Sequence, residues 1–303
     1  LIDHLDDIIL GGSNLEDPGA LFIAKVLGSI PNGGLDPSFG SGGATIISGL
    51  GDMNNSVYGQ IVFDSSHHIL QNSTLGDGSL NFIRYTSEGN LDSDFSNNDI
   101  SGVASIDIGD PNGETVAIAF DTSNNKTILC GNDSSGSVLA AFNMNGSIDT
   151  SFGVGGQTQD LSGVVKSDLS DNSYRIFDMN LDSQQRIVLL GGQDDGSGVY
   201  VARYDPSGIL DQTWGRIGGG ISGEVYFNDV SGLDINGGFN NMIAFDNSDN
   251  ILILNGIEHD DTAAGYWTTN VFRLIVNDGA HVLFTYITHP PTDPSNDVLP
   301  CGI

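Results

Sequence analysis

Arg203-Tyr204-Asp205-Pro206-Ser207-Gly208-Ile209-Leu210-Asp211-Gln212-Thr213-Trp214-Gly215 is the fullest copy of a unit that occurs four times. Its relatives are Leu35-Asp36-Pro37-Ser38-Phe39-Gly40, Leu91-Asp92-Ser93-Asp94-Phe95 and Ile148-Asp149-Thr150-Ser151-Phe152-Gly153. The aspartates stand 56, 57 and 62 residues apart (36 to 92, 92 to 149, 149 to 211). A period of that length is the mark of stacked or arrayed modules. Tyr85, Phe142 and Tyr204 each precede their aspartate by seven residues, and Gly89, Gly146 and Gly208 fall between, where a tight reversal needs positive φ.

Upstream of each unit, polar turn formers separate two apolar runs. They are Phe63-Asp64-Ser65-Ser66-His67-His68-Ile69-Leu70, Phe120-Asp121-Thr122-Ser123 leading to Ile128-Leu129-Cys130, Leu181-Asp182-Ser183-Gln184-Gln185-Arg186-Ile187-Val188 and Phe245-Asp246-Asn247-Ser248-Asp249-Asn250-Ile251-Leu252. Asp, Asn and Ser in such places bond their own backbone, so these segments are predicted hairpins joining the first two strands of a module. No stretch of a dozen residues has helical apolar spacing. Five modules of about four strands follow, near 1–54, 55–113, 114–172, 173–240 and 241–288, with a Pro-rich tail over 289–303. Short sheets with two apolar faces must lean on their neighbours. The predicted fold is therefore all-β, a β-propeller of five blades in one domain over 1–288, with an open stack of modules as the alternative.

Charge is the extreme property of the 303-residue chain. Lys+Arg number 9 against 39 Asp+Glu, a formal net charge of −30, which argues against nucleic acid and anionic membranes as partners. No run of 18 or more apolar residues occurs, so no membrane-inserted helix is expected. The chain opens at Leu1 without a methionine or a signal-like leader, which fits a processed product. Cys130 lies in an apolar run and Cys301 near the end, and the former reads as a buried small apolar residue.

The Arg-Tyr, Gly turn, Leu-Asp, Ser/Thr, Phe/Trp-Gly unit resembles the delta-60 repeat of bacterial secreted and surface proteins. Arg203 to Gly215 carries the likeness best and Ile148 to Gly156 next. The resemblance implies a propeller-like repeat in an extracellular or cell-surface setting, and it brings no catalytic motif.

The signature residues Asp36, Phe39, Asp92, Phe95, Asp149, Phe152, Asp211 and Trp214 are expected to be structural, the carboxylate capping a turn and the ring filling the gap between blades. Lys25, Arg84, Arg203 and Arg273 occupy one equivalent position, where the third module has Ala141. They form either a cationic ring or local pairs with carboxylates. Oxygen-rich runs at 193–198, 234–238 and 246–250 suit calcium by ligand type, but none has the twelve-residue loop ending in Glu. No other cofactor is expected. His67-His68 lacks the spacing of a zinc protease site, and no nucleophile elbow occurs. The expected function is that of a non-enzymatic, secreted or surface-displayed scaffold. It would bind an extracellular protein or glycan, or pack with copies of itself or with a host particle. A carbohydrate-binding lectin and a glycoside hydrolase, the latter needing a pair of carboxylates in one asymmetric pocket, are the alternatives.

Overall fold

A computed structural model describes residues 1–13, 20–28, 33–48, 60–74, 76–154, 162–166, 174–193, 198–215, 223–228, 242–259, 266–277 and 281–288. Every regular element among them is a strand, and the strands form five antiparallel sheets in chain order. Sheet 1 contains β1 (Ile8–Ser13), β2 (Leu21–Val26) and β3 (Ala44–Ile47). Sheet 2 contains β4 (Ile61–Phe63), β5 (Ile69–Thr74), β6 (Leu80–Tyr85) and β7 (Val103–Ile106). Sheet 3 contains β8 (Glu114–Asp121), β9 (Lys126–Asp133), β10 (Gly136–Asn143) and β11 (Val164–Lys166). Sheet 4 contains β12 (Tyr174–Leu181), β13 (Ile187–Gln193), β14 (Gly198–Tyr204) and β15 (Glu224–Asn228). Sheet 5 contains β16 (Met242–Phe245), β17 (Ile251–His259), β18 (Tyr266–Asn277) and β19 (His281–Thr288). Each sheet is an up-and-down meander in which consecutive strands pair. The fold is an all-β propeller type of five blades.

The chain divides into two compact units. One comprises Leu1–Ser134, Val138–Phe152 and Gln159–Lys166, and the other Ser135–Ser137, Gly153–Thr158 and Ser167–Ile303. The Pro-rich tail, Cys301, the calcium candidate at 234–238 and most of the one at 193–198 lie outside the described residues.

The hairpins between first and second strands of the second, fourth and fifth modules share one construction, while in the third Asp121 Oδ1 accepts from Ser123 N and Asn124 N. The Oδ1 atoms of Asp64, Asp182 and Asp246 each accept backbone N–H groups two and four residues on, at 2.8–3.0 Å. His67, Gln185 and Asp249 take the positive φ of 58–64° that closes the reversal. The first module repeats this at its very start. Asp3 Oδ1 accepts from Leu5 N and Asp7 N, Asp6 has φ 63°, and Ile2 bridges to Ile8. Sheet 1 therefore shows three strands plus that bridge instead of the expected four, because the turn falls at residues 3–7.

Apolar rows from adjacent sheets meet within each unit. Ile9, Leu21, Ile23 and Phe39 of the first module pack with Ile69, Ile83, Tyr85 and Val103 of the second. Leu80 and Phe82 of the second pack with Ile118, Leu129 and Phe142 of the third. In the other unit Leu190, Val201 and Trp214 pack against Ile243 and Ile253. Alternation along each strand sends successive side chains to opposite neighbours, so both faces must be apolar.

The turns after the third strands of the second and third modules sit directly on the preceding module's aromatic, Gly89 on Phe39 and Gly146 on Phe95. A Cβ on Gly89, at φ +78°, would lie 2.4 Å from Phe39 Cζ, whereas one on Gly42, at φ +73°, would meet nothing within 4 Å. Gly42→Ala is expected to cost only the left-handed backbone strain, about 1–2 kcal/mol. Gly89→Ala should cost clearly more in urea unfolding, and equal costs would show that the aromatic is not held against the turn.

Candidate functional site

Each signature aspartate works at both ends of its carboxylate. Oδ1 caps the turn: Asp36 accepts from Ser38 N and Oγ at 2.9 and 2.6 Å, Asp149 from Ser151 N and Oγ at 3.1 and 2.6 Å, and Asp211 from Thr213 N and Oγ1 at 3.0 and 2.5 Å. Asp92, followed by Ser93-Asp94, accepts a longer 3.3 Å bond from Asp94 N. Oδ2 faces a cation. Arg84 reaches Asp92 at 2.7 Å, Arg203 reaches Asp211 at 2.7 Å, and Lys25 lies 3.8 Å from Asp36 while also meeting Asp3 and Asp7 at 2.8 and 3.1 Å. The guanidinium carbons of Arg84 and Arg203 stand 4.0 and 5.1 Å from the ring centroids of Phe95 and Trp214, so the signature ring also receives the cation's flat face. Phe39, Phe95 and Phe152 are buried, as is Trp214.

The third module has Ala141 where its relatives carry Arg or Lys. Its aspartate is not left alone, because Lys126, the first residue of β9, places Nζ 3.1 Å from Asp149 Oδ2 and also donates to Asn143 Oδ1. The cation thus arrives from the second strand instead of the third. Lys25, Arg84 and Arg203 do not form a ring of uncompensated positive charge. Arg273 pairs through its backbone with Leu252 and Thr285, and its side chain lies outside the described residues.

These contacts move the acids in one direction. Burial alone would raise the Asp149 and Asp211 carboxyls, but the hydroxyl bonds of Ser151 and Thr213, with Lys126 and Arg203, hold both below the ordinary 3.8. Asp36 is lowered chiefly by Ser38. Asp110, in the connection after β7, is held at about 2 by Ser134 Oγ and by the backbone of Asn112 and Ser134. In His67-His68, the second imidazole Nδ1 sits 2.8 Å from the buried Asp64 Oδ2, and the His67 ring lies edge-on to His4 with centroids 5.4 Å apart. Among the described residues no group of three or more His, Cys, Asp or Glu is arranged to hold a metal ion. Asp246 in the 246–250 run turns its oxygens onto Ser248 N and Asn250.

One buried acid stands where the first three modules carry an aliphatic residue. The residue opening the fourth strand follows a glycine of positive φ in each of the first four modules, after Gly43, Gly102, Gly163 and Gly223. It is Ala44, Val103 and Val164 in the first three, and Glu224 in the fourth. Strand register shows the equivalence: Ala24 faces Ala44, Ile83 faces Val103, Ala140 faces Val164 and Ala202 faces Glu224. Glu224 is only 4% exposed. Its Oε1 accepts from Tyr200 Oη at 3.1 Å and its Oε2 from Tyr226 Oη at 3.0 Å. The two phenol rings are 5.1 Å apart, Tyr200 fully buried and Tyr226 half-buried above the acid. Burial, joined by the neighbouring Tyr204 and Glu224, pushes the Tyr200 hydroxyl well above its ordinary value, so it remains a hydrogen-bond donor. A second buried acid of this unit, Asp178, accepts backbone N–H bonds from Met179 at 2.8 Å and Ile243 at 2.7 Å, tying β12 to β16.

No family model matches the chain, and no curated protein does. Solved structures do resemble it in architecture. An exo-β-1,3-galactanase from Phanerochaete chrysosporium, solved with β-1,3-galactotriose, matches at TM-score 0.40 and 11% identity over 73% of this chain and 49% of that one. A GH43 glycoside hydrolase with endo-xylanase and exo-arabinofuranosidase activity matches at TM-score 0.38 and 8% identity, over 88% and 50%. A candidate 6-phosphogluconolactonase from Bacteroides uniformis matches at 0.44 and 9%, over 95% and 73%. This chain spans about half the length of the galactanase and of the GH43 enzyme. The expectation of a non-enzymatic structural or adhesive scaffold is corrected here. Glycoside hydrolases are among the proteins it resembles, and the missing linear catalytic motif that prompts the expectation says nothing against chemistry assembled from separate strands. At this level of similarity no residue correspondence is carried across.

Sequence reasoning passes over Glu224 because it belongs neither to the repeat signature nor to the hairpins or the recurrent cations. Aligning the modules on the glycine before the fourth strand exposes it.

Two outcomes test the electrostatics of the repeat. Lys126→Ala should lower stability by about 1–2 kcal/mol, the scale of a hydrogen-bonded charge, and adding Ala141→Arg should recover much of it in urea melts. Since the folded-state values of Asp149 and Asp211 lie below 3.8, the stability they contribute is complete above that pH and is lost as pH falls through the lowered values. Asp149→Asn should flatten that acid limb.

Proposed function

We propose that the protein is a carbohydrate-active propeller of the glycoside hydrolase class, with Glu224 as its acid–base group. The observation that carries this reading is the acid itself: a buried carboxylate, held by two phenol hydroxyls, at a position where three sister modules carry Ala or Val. Burying an acid has a large desolvation cost, and the sheet is built equally well with an aliphatic residue there. Local rules broken without structural need are where function is to be sought.

Glycoside cleavage requires a carboxyl group that gives a proton to the departing glycosidic oxygen. Burial favours the protonated acid and the two phenol donors favour the carboxylate, opposing influences that suit a group proposed to alternate between acid and base. Tyr200 holds Glu224 from below, and Tyr226 offers the half-exposed aromatic surface on which a sugar ring can stack. Asp178 is not the partner carboxylate. Three interstrand spacings separate β12 from β15, roughly 14 Å, against about 5–9.5 Å for such pairs. The signature aromatics are buried, so a lectin reading based on these repeated rings as stacking platforms has no exposed faces to use. The acidic composition and the resemblance of the Arg203 to Gly215 unit to the delta-60 repeat support an extracellular setting.

Reducing-sugar release from a panel of galactans, xylans, arabinans and glucosamine polymers tests the proposal. Glu224→Gln should reduce turnover by about 10²–10⁴-fold with the thermal midpoint essentially kept. A wild-type protein inert on the whole panel, or a Glu224→Gln variant as active as wild type, would refute it.

A further inference from the structure

In two pairs of modules the hairpins between first and second strands meet at the same place, the residue after one capping aspartate facing the positive-φ residue of the next hairpin. Between the fourth and fifth modules these are Ser183 and Asp249, and Ser183 N and Oγ donate to the carboxylate at 3.1 and 2.5 Å. Between the first and second they are His4 and His67, with ring centroids 5.4 Å apart and planes inclined at 61°. A hydroxyl and a carboxylate satisfy each other. Two imidazoles in the same position are left with ring nitrogens to spare, and among the described residues no nitrogen of either ring has a hydrogen-bond partner. Both side chains are exposed, so a ligand can reach them.

We propose that His4 and His67 together bind one divalent transition-metal ion of the zinc, copper or nickel kind, which ties the first hairpin to the second. The site is independent of Glu224. Imidazole is the ligand such ions favour, whereas calcium and magnesium prefer oxygen. Two imidazole nitrogens about 2.0–2.1 Å from one tetrahedral ion place the ring centres about 5 Å apart, and these rings stand at 5.4 Å. Their backbones are already fixed. Asp3 Oδ1 holds Leu5 N and Asp7 N around His4, and Asp64 Oδ1 holds Ser66 N and His68 N around His67. His68 is not a third ligand, because its Nδ1 lies 2.8 Å from Asp64 Oδ2. Two protein ligands leave the remaining positions to water, which makes the ion exchangeable. The formal charge of −30 draws cations of every kind toward the chain. The imidazoles select among them.

The test is calorimetric titration of the intact chain with zinc in excess magnesium, which occupies carboxylates and leaves imidazoles to the softer ion. His4→Gln and His67→Gln should each weaken zinc binding by about tenfold or more, since loss of even an outer partner of a metal ligand costs that much. Zinc should raise the thermal midpoint of the wild type and of His68→Gln, and leave that of the two ligand variants unchanged. In the wild type, nuclear magnetic resonance should show the ring protons of His4 and His67 shifting together over one zinc equivalent, a readout that needs no substitution. Absence of zinc binding in magnesium overturns the proposal. So does binding that survives both ligand substitutions, or ring shifts confined to other histidines.

Discussion

A carboxylate used at both ends fixes the signature turn within each of the first four modules. In the signature turn Oδ1 takes the N–H and hydroxyl two residues on, while Oδ2 takes an ammonium or guanidinium from the same sheet. Both ends fix the chain at the point where it leaves the third strand and reverses toward the fourth. In the second module the cation in turn lies over the aromatic ring three residues after the aspartate, and that ring presses on the glycine turn of the following module. One acid thus links turn geometry, strand register and packing between modules. The cation offsets the desolvation of the carboxylate, and the ring's attraction for the cation adds to the pair.

That coupling explains why so few basic residues suffice. A part-buried pair needs one cation per module, and the first four modules supply it from whichever strand passes closest. In the third module the supplier is Lys126 instead of residue 141. The substitution works because Lys126 leaves the hairpin at the end of β9 that lies beside the signature turn, and a flexible four-carbon stem can span the remaining distance. In the first module Lys25 serves three acids at once, and burial that would lower its proton affinity is outweighed by Asp3 and Asp7, so its value is raised. With these cations engaged, the surface charge is set by the remaining acids.

The repeat is the legible part of the fold. Leu-Asp followed by Ser/Thr and Phe/Trp, the Asp-led hairpins and the glycine reversals each have a local physical cause, so five antiparallel sheets can be counted from the sequence. Two things escape that counting. The first module's hairpin is not among those read from the sequence, because Leu1 to Leu5 is largely apolar, although Asp3 caps the turn. The origin of the third cation is invisible because pairing across strands depends on register, and residues 126 and 149 are not neighbours in any local pattern. Glu224 escapes for a different reason. Strand propensity ignores a lone acid beside Val225-Tyr226-Phe227, and only the matching of whole modules shows that the position is otherwise aliphatic.

Comparison between modules of one chain separates two kinds of polar residue that burial alone confounds. Asp36, Asp92, Asp149 and Asp211 recur with their partners, so their cost is answered by similar contacts each time and their role is to build the sheet. Glu224 has no counterpart in the first three modules. Its oxygens are met by Tyr200 and Tyr226, at positions that are Phe22, Asn81 and Val138, and Ile46, Ser105 and Lys166, in those modules. Those two flanking positions vary from module to module, whereas the Glu224 position is aliphatic in all of the first three. Packing does not require the acid, since the same strand crossing closes with Ala and Val three times over. A buried acid met by two phenols, in a sheet position that three sister modules fill with Ala or Val, is the ground on which proton chemistry is proposed for Glu224.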